Sequence, residues 1–178
     1  EQKCKVMHMG RKNKKYDYSL GRTTLTVTTK EKDIGVMVSP DLKAAEQVAR
    51  AAAVANSMVG RIRRTFTYME AEMFKPLYTT LVRSKMEFAV QAWSPYLKKD
   101  IDLLEKVQRR ATKLVPALAQ LPYEERLKIL DLTTLEERRR RGDMIEVYRI
   151  LHGIDKVTTE GDFLKLEEGN ARRGHNFK

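Results

Sequence analysis

From residue 42 to residue 66 apolar side chains recur at steps of three or four: Leu42, Ala45, Val48, Ala52, Ala55, Val59, Ile62 and Phe66. That spacing predicts a helix of about six turns with one buried face. The stripe is rich in alanine, so a second helix or a sheet can approach its axis closely. Ser39 and Pro40 precede it, a good cap residue followed by the residue best tolerated at a first helical position. Upstream the period is two instead of 3.6. Lys5–Met9, Tyr16–Leu20, Thr23–Thr28 and Ile34–Val38 are short, β-branched or aromatic runs. Gly21-Arg22 separates the second from the third in the manner of a hairpin turn.

Downstream the helical period persists. A second helix is predicted from near Glu70, with Met73, Leu77, Tyr78, Leu81 and Val82 on one face and Pro76 as a source of a kink. Met86 to Trp93 is expected to continue it. From Lys98, the face Ile101, Leu104, Val107, Ala111, Leu114 and Val115 defines another helix that Pro116 ends. Pro122-Tyr123-Glu124-Glu125 opens a short one running to Leu130. Thr133 with Glu136 predicts a capping box for a last helix, stopped at Gly153. Met73, Met86 and Met144 are expected to pack inside. The fold class that follows is α+β, mainly α: a small antiparallel β region of three or four short strands, then a bundle of about five helices. The expected divisions are 1–40, 41–156 and a mobile polar tail, 157–178.

Charge narrows the function. The 178 residues carry 35 Lys and Arg against 24 Asp and Glu, a formal charge of +11. A surplus of this size, when clustered, points to a polyanionic partner. It is clustered. Lys3, Lys5, Arg11, Lys12, Lys14 and Lys15 crowd the start; Arg61, Arg63 and Arg64 close the first helix; Lys106, Arg109, Arg110 and Lys113 share another; Arg138, Arg139, Arg140 and Arg141 are consecutive. Lys3 and Lys5 share a strand face. Four consecutive arginines span a full helical turn, so at least one must face inward or pair with Glu136, Glu137 or Asp143. Membrane-surface binding by these helices is disfavoured because their apolar faces are needed for a core. No apolar run approaches the ~18 residues of a membrane span. A lone Cys4 excludes an internal disulfide and fits a reducing, intracellular setting, nuclear or cytoplasmic. With no initiator Met, the chain is expected to begin inside a longer reading frame.

Catalytic patterns are missing. Cys4 and His8, four apart in a strand, lie about 13 Å from one another, too far to share one zinc. There is no G-x-S-x-G elbow and no phosphate-binding glycine loop. Asp100 and Asp102 point to different sides of a helix, and Glu124-Glu125 and Glu136-Glu137 sit in first turns, where the helix dipole accounts for them. Asp17 and Asp33 are isolated. No catalytic residue, metal or cofactor is expected in this chain. Trp93, near Tyr96, is either a base-stacking surface or a core residue at a helix end.

Several blocks, in order, resemble one family. They are Lys3-Cys4-Lys5-Val6-Met7-His8-Met9-Gly10, Glu31 to Val38, Pro76 to Arg83, Val90-Gln91-Ala92-Trp93-Ser94-Pro95, Leu103 to Lys113, and Leu132 to Asp143. Together they resemble reverse transcriptases of non-LTR (LINE) retrotransposons of the chicken-repeat and jockey type. The resemblance implies that residues 1–40 correspond to the end of the palm near the primer grip, and 41–156 to the thumb and the segment after it. It implies partners: RNA, DNA or an RNA–DNA hybrid, and the palm and fingers of a parent RNA-directed DNA polymerase. In that family the Tyr/Phe-x-Asp-Asp motif lies upstream of the block matched by Cys4 to Gly10, so this chain is expected to be inactive alone. One departure is Ser84-Lys85, where the family pattern has Pro and His. A second reading is a host-captured, retrotransposon-derived helical protein that acts through protein–protein contacts.

Overall fold

The computed structural model describes residues 4–155. The described residues up to Glu137 form one compact unit and those from Arg138 onward a second. The short strands and the helices through Glu137 belong to the same unit.

Six very short strands open the first unit: β1 Lys5–Val6, β2 Ser19–Leu20, β3 Thr23–Thr24, β4 Thr26–Val27, β5 Glu31–Asp33 and β6 Val36–Val38. They pair two by two. β2 and β3 form the expected antiparallel hairpin across Gly21-Arg22, with Leu20 opposite Thr23. β5 and β6 form a second, with Asp33 opposite Val36. β1 runs parallel to β4, Lys5 opposite Thr26, so the expected antiparallel arrangement holds for two of the three pairs. Ile34 does not begin a strand. Ile34 and Gly35 are the turn between β5 and β6, both at positive φ (42° and 90°), the conformation that matches the twist of a two-residue hairpin. A side chain at Gly35 would also collide with Phe88, whose ring lies 2.8 Å from where a Cβ would sit.

The first helix, α1, spans Ala45–Thr65, close to six turns. It starts later than Ser39-Pro40 suggests. The Ser39 hydroxyl bonds Asp41 (2.7 Å), the Leu42 amide returns to the Ser39 carbonyl (2.9 Å), and Leu42 sits at φ 54°. A left-handed residue cannot continue a right-handed helix, so 39–42 is a turn and Leu42 is exposed. The β5–β6 hairpin docks on the start of α1, where the Met37 amide donates to Gln47 Oε1 (2.9 Å) and Lys30 pairs with Glu46 (2.8 Å).

Helix α2 (Ala71–Leu77), a π-helical segment (Tyr78–Arg83) and α3 (Ser84–Glu87) form one uninterrupted helical run. Pro76 lacks the amide that would bond one turn back. The hydroxyls of Thr79 and Thr80 both donate to the Pro76 carbonyl, at 3.1 and 2.7 Å, and the turn widens after it. The buried residues of this run are Phe74, Tyr78, Val82 and Met86, at a constant step of four. In a regular α-helix each such step would drift about 40° around the axis; the wider π turns cancel the drift. The run stops at Glu87, short of the expected Trp93, because Ala89 is left-handed (φ 49°). A separate turn, α4, covers Val90–Trp93.

Helix α5 is Lys98–Ala111, followed by tight turns at Thr112–Leu114 and Pro116–Leu118; α6 is Tyr123–Ile129 and α7 Leu135–Leu151. The box at the start of α7 is real but one residue later than expected. The Glu137 amide donates to Thr134 Oγ1 and the Thr134 amide to Glu137 Oε2, both at 3.2 Å. Gly153 (φ 66°) stops the helix as predicted, with the Ile154 amide reaching back to the Arg149 carbonyl (2.9 Å).

The core of the first unit lies where the alanine stripe of α1 meets α5 and the π-containing run. Val48, Ala51, Ala52, Ala55, Val59 and Ile62 face Leu104, Val107 and Ala111 on one side and the Phe74–Met86 series on the other. Trp93 is 5% exposed, its indole N–H donating to the Phe88 carbonyl (2.9 Å), so it is a core residue. Met86 is buried and Met73 packs against the core, whereas Met144, in the second unit, is 67% exposed, against expectation. Among the described residues no helix is long and apolar enough to cross a membrane.

Candidate nucleic-acid interface

Packing fixes where the basic residues point. On α5, Leu104, Val107, Gln108 and Ala111 are buried. Lys106, Arg109, Arg110 and Lys113 follow one another at i, i+3, i+4 and i+7, a single stripe on the opposite, exposed side. On α1, burial of Val59 and Ile62 leaves Arg61, Arg63 and Arg64 exposed in the closing turns. Arg63, Arg64, Arg109 and Arg110 lie in the last turns of their helices, where cations complement the negative end of the helix dipole. Among the described residues none of Arg61, Arg63, Arg64, Lys106, Arg109, Arg110 and Lys113 forms an ion pair with a carboxylate.

Two of the predicted clusters converge. Because α1 packs on α5, their closing turns flank a cleft of about 490 Å³. Arg63 from the first cluster and Arg110 and Lys113 from the second line it, with Phe66, Leu114 and the backbone of Gly60. Arg110 is steadied by Asn56 Oδ1 at 3.4 Å.

The other candidates lie elsewhere. Arg109 holds its guanidinium 4.4 Å above the Tyr123 ring. Lys5 is on β1 and forms an ion pair with Glu31 (2.8 Å), whose carboxyl is held below its usual pKa by that bond. Lys3 lies outside the described residues, as does the tail 157–178. Of the four arginines on α7, Arg139 is the buried one; Arg138, Arg140 and Arg141 are exposed. Among the described residues no three His, Cys, Asp or Glu side chains are placed to hold a metal ion. Asp102 pairs with Lys98 (3.4 Å), and the neighbouring Asp100 is buried.

Apolar periodicity missed a buried polar chain under this surface. The Tyr78 hydroxyl donates to Gln108 Oε1. Gln108 Nε2 donates to the Tyr123 oxygen (2.8 Å) and to the Thr133 carbonyl (2.9 Å). The Tyr123 hydroxyl in turn donates to Glu105 Oε1, and Glu105 Oε2 accepts the Leu135 amide (3.0 Å). Burial, then the neighbouring Tyr123, pushes the Tyr78 phenol well above its usual pKa; burial and the bond to Glu105 do the same to Tyr123. Arg126, also buried, stacks on Tyr123 (5.4 Å) and donates to the Arg109 carbonyl (2.9 Å) and Thr112 Oγ1 (2.8 Å). Desolvation lowers its pKa from the ordinary arginine value. This chain ties the run 71–87, α5, α6 and the start of α7 together, and so sets the direction of the α5 basic stripe. The sequence did carry one signal: Glu105 and Gln108 interrupt the apolar face of α5 at positions adjoining Leu104 and Val107.

No family model matches the chain, and neither a curated protein nor a solved structure is detectably similar to it.

Proposed function

We propose that this chain is a nucleic-acid-binding segment of a retrotransposon RNA-directed DNA polymerase. It grips the template–primer duplex through basic helices, and it is inactive alone because it lacks the catalytic carboxylates. It acts inside the cell. The observation that carries this reading is the convergence of Arg63, Arg110 and Lys113, which pair with no carboxylate among the described residues, on one cleft between α1 and α5. Cations held side by side on rigid helices suit the regular spacing of backbone phosphates. The family resemblance of the sequence points the same way.

The test is fluorescence anisotropy with labelled RNA–DNA hybrid, duplex DNA and single-stranded RNA of equal length, over a salt series. Affinity should fall linearly on a log–log plot, with a slope of roughly 0.9 per phosphate neutralised on duplex DNA. Replacing Arg63, Arg110 and Lys113 together by Ala should lower that slope by about 2.7. No binding at low salt, or an unchanged slope in the triple variant, would overturn the proposal.

One observation favours the second reading, a host-captured protein that acts on a protein partner. In the second unit α7 exposes Met144, Ile145, Val147 and Tyr148 to solvent. Contiguous apolar surface of this kind marks association sites. A defined complex without nucleic-acid affinity would select it.

A further inference from the structure

The cleft between α1 and α5 combines two chemistries in one space. Three cations line it, and so do the Phe66 ring and the bare backbone of Gly60. Phosphate contacts alone need only an exposed basic surface; they do not need a hollow with an aromatic wall. At about 490 Å³ the hollow falls within the range of small-ligand sites. Its chemistry suits a ligand with an anionic end and a flat, weakly polar body. A nucleotide has that form.

We propose that the α1–α5 cleft holds one unpaired nucleotide of a bound strand, its phosphate against Arg63, Arg110 and Lys113 and its base against Phe66. The proposal rests on the nucleic-acid reading above and narrows it: the preferred ligand has a single-stranded stretch next to its duplex. Thr67 carries the one uncharged hydrogen-bonding side chain among the lining residues. The site therefore accepts a base by its face and discriminates weakly among the four bases, as stacking platforms do.

Gly60 supplies the test. It is a helical residue, and a Cβ built on it meets only the Arg64 guanidinium, at 3.9 Å. Because Gly60 itself lines the cleft, Gly60→Leu adds bulk at its wall and keeps all three cations. It also replaces a poor helix former with a good one, so the fold is not put at risk. Anisotropy at low salt compares a blunt RNA–DNA hybrid with the same hybrid carrying a short single-stranded overhang. The overhang should bind more tightly by about 5- to 150-fold, the range of one base stacked on an aromatic ring. Gly60→Leu should bring the two affinities together, and so should Phe66→Leu, which removes the ring and keeps an apolar side chain. Equal affinity of the unaltered protein for both probes, or a preference that survives Gly60→Leu in a protein with an intact thermal melt, overturns the nucleotide site alone. Failure to bind any probe overturns the nucleic-acid reading and this proposal with it.

Discussion

The buried chain Tyr78–Gln108–Tyr123–Glu105 makes an unusual prediction about sign. Tyr78→Phe removes one hydroxyl and leaves Gln108 Oε1 without its donor, in a place with almost no solvent. A lost buried hydrogen bond with one orphaned acceptor costs ~1–2 kcal/mol. Gln108→Leu keeps the bulk but strands three groups: the Tyr78 hydroxyl, the Tyr123 oxygen as acceptor and the Thr133 carbonyl. At ~1–1.5 kcal/mol each that is about 3–4.5 kcal/mol, inside the stability margin of an ordinary domain. In the Gln108→Leu background, however, Tyr78→Phe deletes an orphaned hydroxyl and breaks nothing. There it should be neutral or stabilise by about 1 kcal/mol, a coupling of roughly 1–3 kcal/mol. Urea titrations can follow both circular dichroism and emission from Trp93, the one tryptophan and a core residue. The four proteins should share one m-value, so that midpoints report stability. If Tyr78→Phe costs the same in both backgrounds to within about 0.5 kcal/mol, the hydroxyl does not bond Gln108 and the network as described is wrong.

Two further outcomes follow from the same interior and from the helix ends. Tyr78 and Tyr123 have phenol pKa values above the ordinary 10 in the folded protein, first because of burial. Unfolding lets them ionise at the ordinary value, so the stability they contribute is complete below about pH 10 and is lost as pH climbs from there toward the folded values. Denaturation midpoints should therefore decline above pH 10, by up to about 1.4 kcal/mol per pH unit for each tyrosine, and Tyr78→Phe should remove part of that decline. At the start of α7, Thr134→Ala should cost ~1 kcal/mol of thermal stability, the usual worth of a side-chain cap. Thr133→Ala should cost much less, because Thr133 serves through its backbone carbonyl; equal costs would contradict the observed cap.

Periodicity predicted the helical elements because burial is what it measures. The stripes of α1 and α5 and the stop at Gly153 were legible in the residues. Boundaries were not, where one residue in a left-handed conformation decided them. Leu42 and Ala89 carry no sequence mark of that conformation, and each replaced an expected length of helix by a turn. Ile34 is harder still, a β-branched residue that favours a strand and yet occupies a turn position. Each β run contains strand residues, fewer than its pattern predicts, but pairing is non-local, and nothing in Lys5-Val6 names Thr26-Val27 as a parallel partner. The basic clusters were visible one by one. That Arg63 meets Arg110 and Lys113, while Lys5 is taken up by Glu31, depends on which helix packs on which.

The π-helical segment bears on how this chain can change length. Phe74, Tyr78, Val82 and Met86 place twelve residues in three turns, where a regular α-helix would use about 10.8. The run therefore stores roughly one surplus residue. Removing one exposed position from the segment, such as Thr80, would discharge that surplus: the helix would return to regular winding with Val82 and Met86 still directed at α1. The same deletion within α5 would rotate everything beyond it by about 100° and turn the basic stripe into the core. Deletion of a single residue should thus be accepted in the first place and lethal to the fold in the second.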